Sequence, residues 1–399
     1  MFVHYILNYM VMQIIIYTIL LIDKSIVGYE HCIPKMKGEK NMRKWKKGLC
    51  ALLSMIMIGS TCMPFTSEAE EWKDMEIRGG VNSKISVLSD SDQYTTLDYE
   101  KIDDINDDTI LGLDFTHYQQ NLGWGKTYYN YRQEKISNIF DFVKSQGVNT
   151  ISVKIAVNPS SEQDQCYSLE ESLDTLKEAE KANLKTNVVL LYSDTLTYAN
   201  NQSLPEGWSS DTAEQQAIDY TTDVLTTMED AGVIPDIITV GNEVNYNFLN
   251  FSDGENGNNA WLGWQAMSKI TNVIRNFNTS IKIMIGIAEP SVPTDIEWIL
   301  EKLDDEYMSV QYDYVGVNIY PTENTNQNFL IMKDTFNRIE ESNGKQLIVS
   351  NVKYPGVEKT EEAEIISLVD SQTENIYNLL SATIDSSNAG GLIYDYADM

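Results

Sequence analysis

The sequence predicts an α/β protein built as a (β/α)8 TIM barrel, and three observations carry that reading. From Ile110 onward, short apolar runs alternate with amphipathic helical segments. The apolar runs are nearly continuous and rich in β-branched residues, as in strands buried on both faces of a parallel sheet. Eight such runs occupy about 290 residues, which suits a closed barrel. A doubly wound sheet would instead carry a glycine-rich phosphate loop after its first strand. The stretch LDFTHYQQNLGWG contains no G-x-G-x-x-G.

In chain order the expected strands are TILGLDF (109–115), TISVKIAV (150–157), KTNVVLLY (185–192), DIITVGN (236–242), IKIMIGIA (281–288), YVGVNIY (314–320), QLIVSN (346–351) and GLIYDY (391–396). Helical periodicity fills the intervals at about 132–146, 169–182, 211–231, 260–277, 294–303, 326–342 and 361–383. The barrel domain is therefore expected over 109–399. Residues 70–108 are polar and acidic without sustained periodicity and read as a linker or arm.

The first 69 residues differ in kind. From Met42, MRKWKKGLCALLSMIMIGSTCMPFTSEAEE has a basic start, an apolar stretch over 49–58 and a small-x-small site at Ser67-Glu68-Ala69. That is a signal peptide over 42–69, and it predicts a secreted product. Upstream, residues 1–41 hold a second apolar run, FVHYILNYMVMQIIIYTILLI (2–22), long enough to cross a bilayer. A spanning helix ahead of a complete signal peptide makes little physical sense. Residues 1–41 are therefore read as an upstream extension with translation starting at Met36 or Met42, the alternative being an apolar anchor.

The chain has 399 residues and a formal net charge of −30. Its first 69 residues carry 8 of the 29 Lys and Arg and 4 of the 59 Asp and Glu, so the remainder has 21 basic and 55 acidic groups, a net of −34. Such a body repels phosphate backbones, so no nucleic-acid partner is expected; a neutral sugar chain is compatible. No obligate protein partner is inferred. Cys32, Cys50 and Cys62 fall in the leader, leaving Cys166 alone, with no internal disulfide and no cysteine metal site. His117 is the one histidine beyond the leader, which argues against a Ser-His-Asp triad and multi-histidine zinc chemistry. No metal or cofactor is expected, and acid–base work falls to Asp, Glu, Tyr or Lys.

Active sites of this architecture lie at the carboxyl ends of the strands. Here the strands end in Asp114, Tyr192-Ser193-Asp194, Asn242-Glu243, Glu289, Tyr320, Asn351 and Tyr394-Asp395. Seven polar endings on one rim predict a cleft. Trp124, Tyr128, Tyr129, Trp208, Tyr246, Trp261 and Trp264 are candidates to stack on sugar faces, with ordinary packing as the competing fate. An Asn-Glu pair closing strand four suits glycoside hydrolysis, Glu243 as general acid/base and Asn242 on the sugar 2-hydroxyl. A retaining enzyme then needs a second carboxylate about 5 Å away, which strand seven can supply.

At this point the sequence resembles glycoside hydrolase family 53, the arabinogalactan endo-β-1,4-galactanases. The resemblance covers about residues 110–397. It rests on YTTDVLTTMEDAGVIPDIITVGNEVNYNFL together with GVNTISVKIAVNP, ANLKTNVVLLYSDTLTYANNQSLPEGW, SIKIMIGIAEP, DYVGVNIYP, GKQLIVSNVKYP and GGLIYDYAD, in family order. The resemblance implies a TIM barrel and a neutral β-galactan ligand, with Glu243 as general acid/base. Asn242, Asp114, Tyr192, Asp194 and Tyr320 match sugar-binding positions. Other positions depart from the family. Asn351 stands at the nucleophile position, and Ser152 and Lys154 replace arginines of strand two. Leu191 and Gly286 replace histidines, and Tyr394-Asp395 replaces Trp-Glu. Lys154, Tyr394 and Asp395 are nevertheless expected to line the sugar site. The family continues beyond strand eight into an eighth helix, whereas this sequence stops at Met399, so the expected barrel is either complete or short of its last helix.

A neutral amide is a very weak nucleophile, so hydrolysis is expected to be impaired. The alternative is a working galactanase in which Glu289 or Asp395 substitutes for the lost carboxylate.

Overall fold

The computed structural model describes residues 82–86, 96–100, 108–130, 134–161, 164–245, 247–251, 253–254, 257–258, 260–288, 293–320, 345–352, 377, 379–380 and 389–395. Eight parallel strands close into a barrel. They are β1 Ile110–Asp114, β2 Thr150–Ile155, β3 Lys185–Leu190, β4 Ile237–Val240, β5 Lys282–Ala288, β6 Tyr314–Ile319, β7 Gln346–Val352 and β8 Ala389–Asp395. Each pairs with its neighbours in chain order, and β8 returns to β1 through Asp395 opposite Asp114. The predicted strands are therefore the observed ones, with ends shifted by one or two residues. The leader, the apolar run at 2–22 and the expected helix at 326–342 lie outside the described residues. Within the 70–108 arm, Asn82–Ser86 pairs antiparallel with Thr96–Glu100.

Helices Tyr118–Gly123, Ile139–Ser145, Leu169–Lys181, Ala213–Asp230, Ala260–Phe277 and Pro293–Leu303 follow β1 to β5. The helix expected at 132–146 begins only at Ile139, because the Asn138 side chain accepts from the Phe140 and Asp141 backbone N–H groups and fixes the start there. Strand alternation divides the core in two. Ile110, Ile237, Met284, Ile348 and Ile393 fill the barrel floor. Leu111, Leu113, Val349, Val352, Leu392 and Tyr394 face the helices. Above the floor, Asn187 donates to Ser152 Oγ at 2.9 Å and accepts from Thr239 Oγ1 at 2.8 Å, so the inward polar groups of β2, β3 and β4 satisfy one another.

One irregularity shapes the mouth. Between β6 and β7 the register jumps: Val317 faces Val349, but Asn318 faces Asn351. Val349 and Val352 both belong to the outer layer, so two residues, Ser350 and Asn351, lie between them on the inner side. That is a β-bulge at a barrel rim, which re-aims a side chain toward the site.

Candidate active site

The end of β4 turns sharply. Gly241 has φ +71°, and a Cβ there would lie 2.2 Å from Val244 Cγ1, so only glycine fits. Glu243 itself sits at φ +56°, a left-handed conformation uncommon outside glycine. Gly286 of β5 makes room for the turn: a Cβ on it would come within 2.5 Å of the Gly241 carbonyl oxygen, and its own carbonyl accepts from Val244 N at 3.0 Å. The absence of a histidine at 286 is thus compatible with a tight β4 turn.

The turn buries both members of the Asn-Glu pair, each 4 % exposed. Glu243 Oε1 accepts from Tyr320 OH at 2.9 Å and Asn318 Nδ2 at 3.1 Å, and Oε2 accepts from Ala199 N at 2.9 Å. Of these three donors only the Tyr320 hydroxyl can reverse and accept. Burial, followed by the Glu243 carboxylate, pushes the Tyr320 phenol far above its usual range and keeps it a neutral donor. Asn242 Oδ1 accepts from Asn318 Nδ2 at 2.9 Å, and Asn242 Nδ2 donates to Thr197 O at 2.7 Å, leaving one amide hydrogen for a ligand.

Two supports went unread in the sequence. Asn318 joins Asn242, Glu243 and, by accepting from Ser350 Oγ at 2.9 Å, the β7 bulge. Gln202 is 4 % exposed, and its Nε2 lies within reach of the carbonyls of Asn242 at 2.8 Å, Tyr198 at 3.0 Å and Glu243 at 3.2 Å. It ties the β3 loop to the backbone under the carboxylate.

A second cluster occupies the adjoining ends of β1, β2 and β8. Buried Lys154 donates to Asp114 Oδ2 and stands 3.9 Å from Asp395 Oδ2. Burial alone would lower the ammonium pKa, but Asp114 and Asp395 outweigh it and hold it well above the usual lysine range. Lys154 thus serves two carboxylates of its own. Asp114 Oδ1 also accepts from Thr116 N at 2.9 Å.

The structure brings together Glu243, Asn242, Tyr320 and Asn351 on one side and Asp114, Lys154 and Asp395 on the other. Two expected sugar contacts, Tyr192 and Tyr394, lie elsewhere. Tyr192, at φ +52°, turns into the helix layer, where its OH meets Thr221 Oγ1 at 2.9 Å and its ring packs edge-on against Phe248 and Tyr220. Tyr394 belongs to the outer core because it has the opposite strand parity to Asp395. Asp194 braces loops, accepting from Asn158 N at 2.9 Å and Glu206 N at 2.7 Å. Among the aromatic candidates, Trp124 and Trp261 are exposed, Tyr128 and Trp264 are buried, and Trp208 packs on the core. Glu289 and Tyr246 lie outside the described residues.

Cys166 is fully buried beside His117, Sγ to Nε2 4.0 Å. Burial, then Glu171 and Asp114, push its thiol up to about 12. Only about one thiol in 10⁴ is then thiolate at pH 8, so iodoacetamide should leave Cys166 unmodified until the protein is denatured. Peptide mapping of native and denatured samples checks this; rapid native labelling would contradict the burial.

The sequence and the barrel have known counterparts. A family model described as "Glycosyl hydrolase family 53" matches residues 110–391. The arabinogalactan endo-beta-1,4-galactanase A of Emericella nidulans is 27% identical over 264 residues, covering 62% of this chain and 71% of that protein. The Cellvibrio japonicus arabinogalactan endo-beta-1,4-galactanase is 26% identical over 258 residues, covering 61% of this chain and 65% of the relative, just under two thirds of its length. Among solved structures, a fungal beta-1,4-galactanase superposes with a TM-score of 0.59 at 22% identity, covering 71% of this chain and 88% of the other. The family 53 catalytic domain of Ignisphaera aggregans superposes at 0.62 and 19% identity, covering 74% and 86%. These two likenesses show the barrel fold. The family match spans more than half of the sequence, from the first residue of β1 into the start of β8: the chain belongs to glycosyl hydrolase family 53.

Proposed function

We propose that this chain is a secreted member of the family that holds a neutral β-1,4-linked galactan in the barrel mouth and cleaves it slowly or not at all. One observation carries the reading: Glu243 is fixed by three donors, while the inward bulge of β7 offers the carboxamide of Asn351. A retaining mechanism needs a carboxylate there to form the glycosyl–enzyme bond as the acid protonates the leaving oxygen. The substrate class follows from the galactanase relatives, and export from the leader. The second reading, a working endo-galactanase, is favoured by Asp395, an inward carboxylate on β8 beside Lys154.

Incubation of the purified protein with β-1,4-galactan, scored by reducing ends and by calorimetric titration, tests both. Binding with negligible turnover is the expected result, and Glu243→Gln should retain binding to within about threefold, since the amide keeps size and one acceptor. Turnover that disappears in Glu243→Gln would overturn the first reading. No binding at all would overturn both.

A further inference from the structure

The carboxamide oxygen of Asn351 is buried and has no hydrogen-bond partner among the described residues, although the residue is only 5 % exposed. A buried acceptor left unpaired costs the native state free energy, and native proteins rarely keep one without a use. Its surroundings say what could pair with it. The β6–β7 register sets Asn351 beside Asn318, whose amide bridges Asn242 and Glu243. Three asparagines from three strand ends therefore meet at one wall of the mouth, and Asn351 supplies the unused acceptor.

We propose that Asn351 Oδ1 is a binding contact for a hydroxyl group of a pyranose seated against Glu243. At this position the chain grips the sugar with a neutral amide. An anion is disfavoured by the acceptor oxygen and the neighbouring carboxylate. A neutral hydroxyl, able to donate to the amide oxygen, fits this constraint. This inference rests on the proposed galactan-binding function and deepens it.

The test is Asn351→Leu, which keeps the approximate volume and removes the acceptor, with Asn351→Ala as a second variant that adds no bulk. Titration with β-1,4-galactotetraose should give a Kd about tenfold weaker for both variants. Thermal melting of the leucine variant should give an unchanged or higher Tm, because an unsatisfied polar atom has been removed. Loss of affinity with retained Tm is a combination that a merely structural amide cannot produce. Equal affinity in wild type and variants would overturn this inference alone. A lowered Tm in both variants would overturn it too, by showing that the oxygen is bonded within the fold. A wild type that binds no tetraose overturns the galactan reading and this one with it.

Discussion

Lys154→Met is expected to lower the unfolding free energy by about 3–5 kcal/mol, the cost of removing one partner from a buried ion pair. Methionine keeps most of the side chain's volume, so the loss is electrostatic. Asp114, only 2 % exposed, would be left without its counter-ion, and Asp395 would face it as a like charge. Urea denaturation of wild type and variant measures the difference. The pH dependence has a definite sign. The folded-state pKa of Lys154 is raised, so its stabilisation is fully present below the unfolded value of about 10.4 and is lost only as pH rises through the higher folded value. The lysine's own titration therefore adds no slope to the stability gap between pH 6 and 9. Adding Asp114→Asn to the methionine variant should recover at least about 1 kcal/mol, since the stranded charge is then gone. Additive losses in the double variant would show that the two residues do not act as a pair.

The same cluster explains what was legible in the sequence. β-branched runs such as IITV and YVGVNI gave the strands because burial on both faces leaves no other pattern. Strand parity was equally available and would have sorted several site residues. Asp395 shares parity with Ile393 of the barrel floor, whereas Tyr394 shares it with Leu392 of the outer layer. Asn318 shares parity with Gly316, whose place against Met284 and Ser350 is inside the barrel, so a polar residue there is an inward one. Reading only the last residue of each strand passed over it.

Other features depend on backbone turns that no period reveals. β3 ends at Leu190, and the chain then passes through Tyr192 in a left-handed conformation, so a tyrosine expected at the mouth rotates into the helix layer. Glu243 is delivered by the same kind of turn, with Gly241 as its one visible mark. Gln202 acts through a loop whose path is set by the residues it bonds. The helix boundary at Ile139 was readable in principle, since an asparagine three residues ahead of an acidic residue is a capping signal.

Asn351→Glu is expected to raise reducing-end release from β-1,4-galactan on the order of 10³-fold over the wild-type rate, equivalent to about 4 kcal/mol of barrier. The reason is the division of labour in retention: a proton donor alone cannot hold the glycosyl group, and a carboxylate on the opposite side can. The donor's setting is already built, with Glu243 clamped by Ala199, Asn318 and Tyr320. The β7 bulge turns residue 351 into the mouth, in register with Asn318, whose own amide donates to Glu243. Glutamate adds a methylene to a buried position, at a cost of about 1–3 kcal/mol in stability, which is smaller than the gain sought in the barrier. Lys154 is committed to Asp114 and Asp395, so pairing Asn351→Glu with Lys154→Arg, whose planar fork can bind two carboxylates, should orient the new group further. Adding Glu243→Gln to either variant must abolish the gain if donor and nucleophile act on one bond. A variant that melts cooperatively, binds the glycan and still releases no reducing ends would show that the spacing between strands four and seven, rather than the missing charge, is what keeps the bond intact.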